Sequence, residues 1–540
     1  MNRTMNTGNN HTTRINNLDI YIYILLIIVA TVLRLYLLDL RTFHHDESAV
    51  GSYTYKLFDN GNYHYNPVFH GPFIYFLTSW VFELIGDTEF AARLVPALTG
   101  IGMVLLIYPI RHYLGRPGWL IAAAFLAFSP SFLYYSRFFR NDIFIAFFTL
   151  AVIVCCVKYL EQGDSPRRLI FIFLGSAALG LSATAKENTY VIMALFAFPV
   201  GLFILYKIII CLRRHSLGHD AIVFIEKNKF RIVMDTGLFV IVFLIIFTIF
   251  YSYFFKDIGA VTKAPIEAFS HWYEMHDVER IGGPPYYYIP LLMLYELPIF
   301  IFAVVGSVEY IQKFVRKREN VFMAFMVYWL VANMAAYSYL GEKVPWLLLH
   351  PLLPAILVAG AYMGELLPQL RYRPRYVEVF FITVIVLSVS FFLFTSYSLN
   401  YTRYSDPAEP LIQASQPPQK FQDFLTTLHE TARIHDGYDT EIQNTDPKMN
   451  TQFLWHLRHY TNIKWFEKLE NNPDLDAPII VVHDEDVDIA QNLLIGDYQR
   501  LDSARMAWYF YKVSDINYKY ILFREIDRPS DEYGVILFYR

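Results

Sequence analysis

The chain has 540 residues, 55% of them apolar and only 17% charged, with a mean hydropathy of +0.31. That balance excludes a soluble enzyme, and a formal charge of -4 offers no basic surface for nucleic acid. The 41 Tyr and 46 Phe suit lipid-facing helices flanked by interfacial aromatic belts.

Residues 1–18 read as a cytoplasmic tail, and the apolar run 20–38 lacks a small-residue cleavage site, so it is expected to stay as a signal anchor. A span needs about 20 apolar residues. Ten further segments qualify: 90–110, 118–135, 141–160, 168–185, 188–212, 232–254, 287–311, 320–340, 345–366 and 376–397. The piece 72–86 is apolar but short. Basic loops at Arg111–Arg116, Arg167–Arg168, Arg213–Arg231, Lys313–Arg318 and Arg371–Arg375 all fall on the side of the N-terminal tail only if 72–86 does not cross. The expectation is eleven spans with 72–86 juxtamembrane, the N-terminus inside and the C-terminus outside. Cys155, Cys156 and Cys211 lie in or at the end of apolar runs and form no metal or disulfide motif.

The fold class expected is therefore a polytopic α-helical membrane protein, with a transmembrane domain over 19–398 and a small extracytoplasmic α/β domain over 399–540. Within the latter, Ala477–Val482 reads as a strand and 487–495 as a helix. Met506–Val513 and Tyr518–Phe523 read as strands. The sequon Asn400-Tyr401-Thr402 lies just beyond the last span, where a glycan would report the topology.

On this topology the first external loop (39–71), the second long loop (255–286) and the short turns at 136–140, 186–187 and 341–344 share one face. Loop one carries His44, His45, Asp46 and Glu47 ahead of an amphipathic stretch. Asp46 reads either as a general base or as a helix N-cap, with Glu47 in the first turn. Arg137 and Arg140, three apart beside Asp142, have the forked geometry that grips phosphate, although arginines at a helix end also snorkel. Lys186 is either a phosphate contact or the local partner of Glu187. Glu342, Lys343 and Trp346 follow Gly341, and Pro284-Pro285-Tyr286-Tyr287-Tyr288 forms an interfacial aromatic cluster suited to a belt or a sugar groove. Glu296 lies deeper in its span, where an acid is costly and so a functional candidate. Cations for a phosphate leaving group beside a carboxylate for an acceptor hydroxyl are what transfer from a membrane-bound carrier requires.

These motifs resemble a known superfamily. The first span ends in His45-Asp46-Glu47, followed by Tyr65-Asn-Pro67-Val-Phe-His70-Gly71-Pro72, Glu89-Phe-Ala-Ala-Arg93-Leu-Val-Pro96, Ser129-Pro130, Tyr135-Ser-Arg137-Phe-Phe-Arg140-Asn-Asp142 and Ala185-Lys186-Glu187. Together with Pro284–Pro290 they are similar, in order over residues 20–360, to the GT-C glycosyltransferases, which include the protein O-mannosyltransferases and the aminoarabinose transferase of lipid A. The stretch Tyr337–His350 looks closest to the archaeal flippase activity-associated membrane proteins. The resemblance implies an inverting transferase of the plasma membrane that uses a polyprenyl-phosphate-linked sugar. Its acceptor, a glycan, protein or lipid, is left open. It implies Asp46, Glu47 and Asp142 in the chemistry, with Arg140 and Lys186 on the donor phosphate; the shared face adds Arg137 and Lys343 to those cations. The acceptor or sugar groove would then draw on His45, His70, Tyr286, Tyr287, Glu342 and Trp346. Asn66 and Gly283 stand where relatives often carry a basic residue. His44 and His45 beside Asp46 leave a divalent metal open, though mannosyltransferase-type relatives are thought to work without one. A flippase, or a flippase-associated protein without transfer activity, is the competing reading. It fits less well because the charges gather at one interface and no inverted repeat is visible.

Overall fold

The computed structural model describes residues 16–214, 217–276, 283–317, 320–341, 343–370, 372–406, 409–412, 416–467, 469, 474–502, 506–507, 512–523 and 532–540. Its membrane part is a helical bundle. Helix α1 (Asn17–Leu35) opens with Asp19 accepting from the Asn16 amide. Helix α2 (His45–Asn60) follows, and α3 (Phe73–Ile85) ends at Gly86. Helix α4 (Glu89–Leu105) starts at the Thr88 cap and continues through a 3-10 turn into α5 (Arg111–Leu114). Next come α6 (Gly118–Phe128) and α7 (Pro130–Ser136), bent by 54° at Ser129. They lead to α8 (Asp142–Gln162), α9 (Arg168–Ala185), α10 (Asn188–Arg214) and α11 (Leu217–Tyr251). The remainder is α12 (Ala260–His276), α13 (Tyr288–Tyr295), α14 (Leu297–Lys317), α15 (Val321–Tyr339), α16 (Leu349–Leu370) and α17 (Arg375–Tyr397).

Among the described residues nine helices are long and apolar enough to cross a membrane, or ten if α6 and α7 form one broken span. The chain is a multi-pass membrane protein. Helix α16 is the axis of the bundle. Residues 345–364 are buried throughout, and α6, α14 and α15 pack around them. Close approach is achieved by small residues: a Cβ on Gly364 would sit 2.4 Å from the backbone of Gly118 in α6.

Ion pairs mark the two ends of the bundle. At one end Arg116 binds Asp19 (2.8 Å), His112 meets Glu161 (2.9 Å), Arg168 binds Asp235 (3.0 Å) and Lys313 binds Glu365 (2.6 Å). The opposite end carries the loops of the expected external face. Helix α3 starts and finishes there: Gly71 donates to Ala185 O, and Asp87 pairs with Arg458. The short apolar piece thus lies at one end of the bundle. The expected span 287–311 is displaced, because the chain breaks at Glu296 and the long helix is α14. Pro298 and the carboxylate, which accepts from Ser129 Oγ (2.7 Å) and Ser131 N (2.9 Å), fix that break against the α6–α7 bend.

The C-terminal region holds a five-stranded sheet of order β2-β1-β3-β7-β4. Its strands are β1 (Ile442–Asn444), β2 (Ile463–Trp465), β3 (Ile479–His483), β4 (Gln499–Asp502) and β7 (Val535–Tyr539). Strands β2, β1 and β3 run parallel, and β7 is antiparallel to β3 and β4. A separate ribbon pairs β5 (Met506–Ala507) with β6 (Glu532–Tyr533). Side chains alternate across β3. Ile479 and Val481 face a core with Phe421, Phe424 and Phe453 from α18 (Phe421–Ile434) and α19 (Asn450–His456). Ile480 and Val482 face Val487 and Ala490 of α20 (Val487–Leu493). The expected strand at 518–523 is instead helix α21 (Tyr518–Phe523). Asn517 Oδ1 caps the Tyr520 amide, and Tyr520 is buried with its hydroxyl near Glu409. Of the expected strand 506–513 the described residues show β5 and, from Val513, a 3-10 turn; residues 508–511 lie outside the described set.

This region interlocks with the bundle. Trp455 stacks on Phe43 at 4.7 Å, Ser48 Oγ meets Gln452 at 2.6 Å, and Tyr295 OH donates to Glu409 at 2.6 Å. The sequon is closed off: Asn400 is buried, in a π-turn, and its amide donates to Ser396 O at 2.9 Å. A glycan has no access to it.

Candidate active site

Helix α2 is capped by His44, whose Nδ1 accepts from the Asp46 amide (3.1 Å). Three residues on, the Glu47 carboxylate accepts from the His44 amide (3.0 Å), which completes a capping box. The cap expected at Asp46 is therefore supplied by His44, two residues earlier, and the Asp46 carboxylate is left to point elsewhere. Burial drops the His44 imidazole to about 4, so it is neutral at physiological pH. With Nδ1 committed to the cap, His44 has only Nε2 left for a metal. Among the described residues no group of three or more His, Cys, Asp or Glu is placed to hold one.

The two neighbouring acids have opposite environments. Glu47 is fully buried. It takes both Nε (2.8 Å) and Nη2 (2.7 Å) of Arg93, Nη2 of Arg41 (3.0 Å) and the Phe139 amide (2.8 Å). Burial alone would raise its pKa, but the two arginines and these hydrogen bonds outweigh it and hold the carboxyl at about 2. All its lone pairs are spent on tying α2 to α4 and to the turn after α7. Asp46 keeps 29% of its side-chain surface exposed and receives Nη1 of Arg140. Burial pushes its carboxyl up, while Arg140, with His44, His45 and His70, pulls it to a net value below the ordinary range.

Arg140 connects three elements. It holds Asp46, approaches Asp142 with Nε at 3.8 Å, and lies 3.8 Å over the ring of Trp346. Asp142, at the start of α8, accepts from Lys186 Nζ at 2.8 and 3.1 Å, and His350 Nε2 stands 3.8 Å away. Lys186 and Glu187 are adjacent in sequence but part in space. Lys186 turns to Asp142, while Glu187 accepts from Tyr65 OH (3.0 Å) and pairs with His70 Nδ1 (2.9 Å) of loop one. Gly71 makes that docking possible, since a Cβ there would lie 2.2 Å from Thr184 O.

The family described as dolichyl-phosphate-mannose-protein mannosyltransferase matches residues 69–225. An uncharacterized protein of Aquifex aeolicus (strain VF5) is 22% identical over 331 residues, 57% of this chain and 68% of that protein. Among solved structures, ArnT from Cupriavidus metallidurans bound to undecaprenyl phosphate superposes with a TM-score of 0.61 at 17% identity, over 95% of this chain and 97% of ArnT. The Archaeoglobus fulgidus oligosaccharyltransferase tethered with an acceptor peptide containing the NVT sequon gives 0.56 at 13% identity, over 87% and 69%. The chain has the GT-C fold.

Within this GT-C fold the site gathers Asp46, His45, His70, Arg140, Asp142, Lys186 and Trp346 at one end of the bundle. His45 lies beside Asp46 and Arg140, and burial lowers its imidazole. Two expected phosphate residues are placed otherwise. Arg137 turns to the end of α1, donating to the carbonyls of Leu33 (3.0 Å), Arg34 (3.1 Å), Tyr36 (2.8 Å) and Leu37 (2.6 Å). Lys343 caps α15 through the carbonyls of Tyr337 (3.0 Å), Ser338 (2.7 Å) and Leu340. Trp346 offers its ring to Arg140. Tyr287 is buried and Tyr286 is exposed, and Glu342 lies outside the described residues. Sequence reasoning gave no role to Arg41, Arg93 or His350. No spacing signal links position 350 to 142; the rings of His350 and Tyr337 stack at 4.9 Å beside Asp142 only because α15 and α16 pack together.

Proposed function

We propose that the protein transfers a sugar from a polyprenyl-phosphate carrier to an acceptor hydroxyl, with inversion, at the outer face of the plasma membrane. The observation that carries this reading is the Arg140 bridge: a solvent-reachable carboxylate shares one guanidinium with the Asp142–Lys186 pair. The donor phosphate competes with Asp46 and Asp142 for Arg140 and Lys186. As it takes Arg140, Asp46 loses its counter-ion and becomes a stronger base. Asp46 then removes the acceptor O–H proton, and the oxygen attacks the anomeric carbon opposite the phosphate. The carbon–oxygen bond to phosphate breaks, and the electron pair leaves on polyprenyl phosphate, where Arg140 and Lys186 stabilise the charge. Glu47, locked by Arg41 and Arg93, positions Asp46 and takes no proton.

The fold likeness and the family match over 69–225 support this reading. Its sidedness is supported by the basic loops at the opposite end of the bundle. The test is release of free polyprenyl phosphate from dolichyl- and undecaprenyl-phosphate-linked sugars by purified protein in lipid nanodiscs. Asp46→Asn should lower the rate by about 100-fold or more. Release at the wild-type rate by that variant removes Asp46 from the role. Movement of the intact lipid-linked sugar across proteoliposomes without cleavage overturns transfer.

A further inference from the structure

A cleft of about 330 Å³ separates the start of α4 from the C-terminal domain. The bundle contributes Asp39, Thr88 and Glu89, and the C-terminal domain contributes Thr426, His429 and His456. Its volume lies in the range of small-molecule sites. His456 is decisive among these. Its side chain is only 7% exposed, Nδ1 stands 3.8 Å from Glu89 Oε1, and Nε2 has no hydrogen-bond partner.

The charges at the cleft define what fits. Arg458 is already committed: Nε binds Asp87 at 2.7 Å, and its guanidinium lies 3.9 Å over the Trp455 ring. Arg93 is shared between Glu47 and Glu89, the latter at 3.6 Å. A phosphate entering here meets Asp39 and Glu89 with each of these arginines already paired. What the cleft offers is carboxylate oxygens, threonine hydroxyls and imidazoles, with Phe90 and Leu425 as apolar wall. That set suits a ligand rich in O–H donors, carrying no negative charge and presenting C–H faces.

We propose that this cleft binds a neutral saccharide and holds the acceptor glycan, which rests on the transferase reading above. Two observations connect it to the chemistry. Thr42 lines the cleft four residues before Asp46, so the two lie within about 14 Å, a reach that a short oligosaccharide covers. The carboxylates of Glu89 and Glu47 share Arg93, and consecutive amides grip them: Phe43 N donates to Glu89 (3.4 Å) and His44 N to Glu47 (3.0 Å). A sugar hydroxyl on Glu89 therefore acts on the same segment that aims Asp46.

The experiment is saturation-transfer NMR on the full chain in nanodiscs, with neutral trisaccharides of mannose, glucose and N-acetylglucosamine. At least one should bind with a Kd below about 1 mM. Thr426→Trp fills the cleft from the exposed face of α18 and touches none of the reacting groups. It should weaken binding at least tenfold and reduce sugar transfer, while donor hydrolysis to free polyprenyl phosphate without acceptor stays at the wild-type rate. His456→Gln should weaken binding as well. Failure of all three trisaccharides to bind overturns the proposal, as does wild-type binding by Thr426→Trp. Binding of inorganic phosphate or a lysine-rich peptide that Thr426→Trp abolishes, with no saccharide bound, also overturns it. Because binding is read without donor, a loss of donor cleavage by wild-type protein tells against the transferase reading separately.

Discussion

Arg140 grips Asp46 and covers Trp346 with the same guanidinium, whose carbon lies 3.8 Å above the indole ring. The ring fixes where the arginine sits, and the arginine fixes the carboxylate. Trp346→Ala removes a cation–π contact of about 1–2 kcal/mol and leaves Arg140 free to swing. Donor cleavage should fall about tenfold, and Trp346→Phe should recover most of it. Arg140→Lys should behave worse than Trp346→Ala, because an ammonium cannot reach Asp46, Asp142 and the ring together. Release of polyprenyl phosphate measures all three.

Glu47→Ala leaves Arg41 and Arg93 buried without their shared carboxylate. A loss of about 3–5 kcal/mol is expected, enough to abolish expression or lower the melting temperature sharply. Glu47→Gln preserves volume and part of the hydrogen bonding and should be milder. Thermal unfolding in detergent separates the two. A Glu47→Gln protein with wild-type stability and lost cleavage would instead place Glu47 in the chemistry.

Acid should act in two opposite senses. Glu47 has a folded pKa of about 2, below its ordinary value of 4.5, so its contribution is complete above 4.5 and fades as pH falls towards 2. Asp446, buried at the end of β1, is raised by burial to about 6. An acid with a raised folded pKa favours the folded state most below its ordinary value of 3.8 and gives that up as pH climbs through about 6. Unfolding of the C-terminal region, followed by the fluorescence of Trp455 and Trp465, should shift to lower temperature between pH 4 and 7. Asp446→Asn should flatten that slope.

Gly71→Ala places a methyl group against the Thr184 carbonyl and pushes loop one off α9. The His70–Glu187 and Tyr65–Glu187 contacts should break, lowering both stability and donor cleavage. Glu187→Gln, which keeps the loop seated, should retain most of the stability. Comparing melting temperature with cleavage rate in the two variants distinguishes docking from charge.

Asn400 should be unmodified in mature protein, since its side-chain amide is spent inside the bundle. Peptide mass spectrometry of protein from a glycosylating host checks this. Full occupancy would mean that the turn after α17 opens before modification.

The apolar runs determined the helices, because a bilayer leaves a long uncharged segment no other way to satisfy its backbone. Basic loops led to the expectation that 72–86 does not cross, and α3 begins and ends at the same end of the bundle. The shared face likewise grouped Asp46, Glu47 and Asp142 with Arg137, Arg140, Lys186 and Lys343. Which neighbour each of these meets was not legible. Lys186 and Glu187 share a turn, yet an extended Lys186 backbone sends one to α8 and the other to loop one. Arg137 and Arg140 look equivalent at a spacing of three. The chain leaves the helix at Arg137, however, so only Arg140 reaches Asp46 while Arg137 caps α1. Asp46 and Glu47 are adjacent acids in the sequence. The tertiary structure separates them, by burying Arg93 and Arg41 against one and leaving the other in reach of solvent, because a helix turns successive side chains about 100° apart.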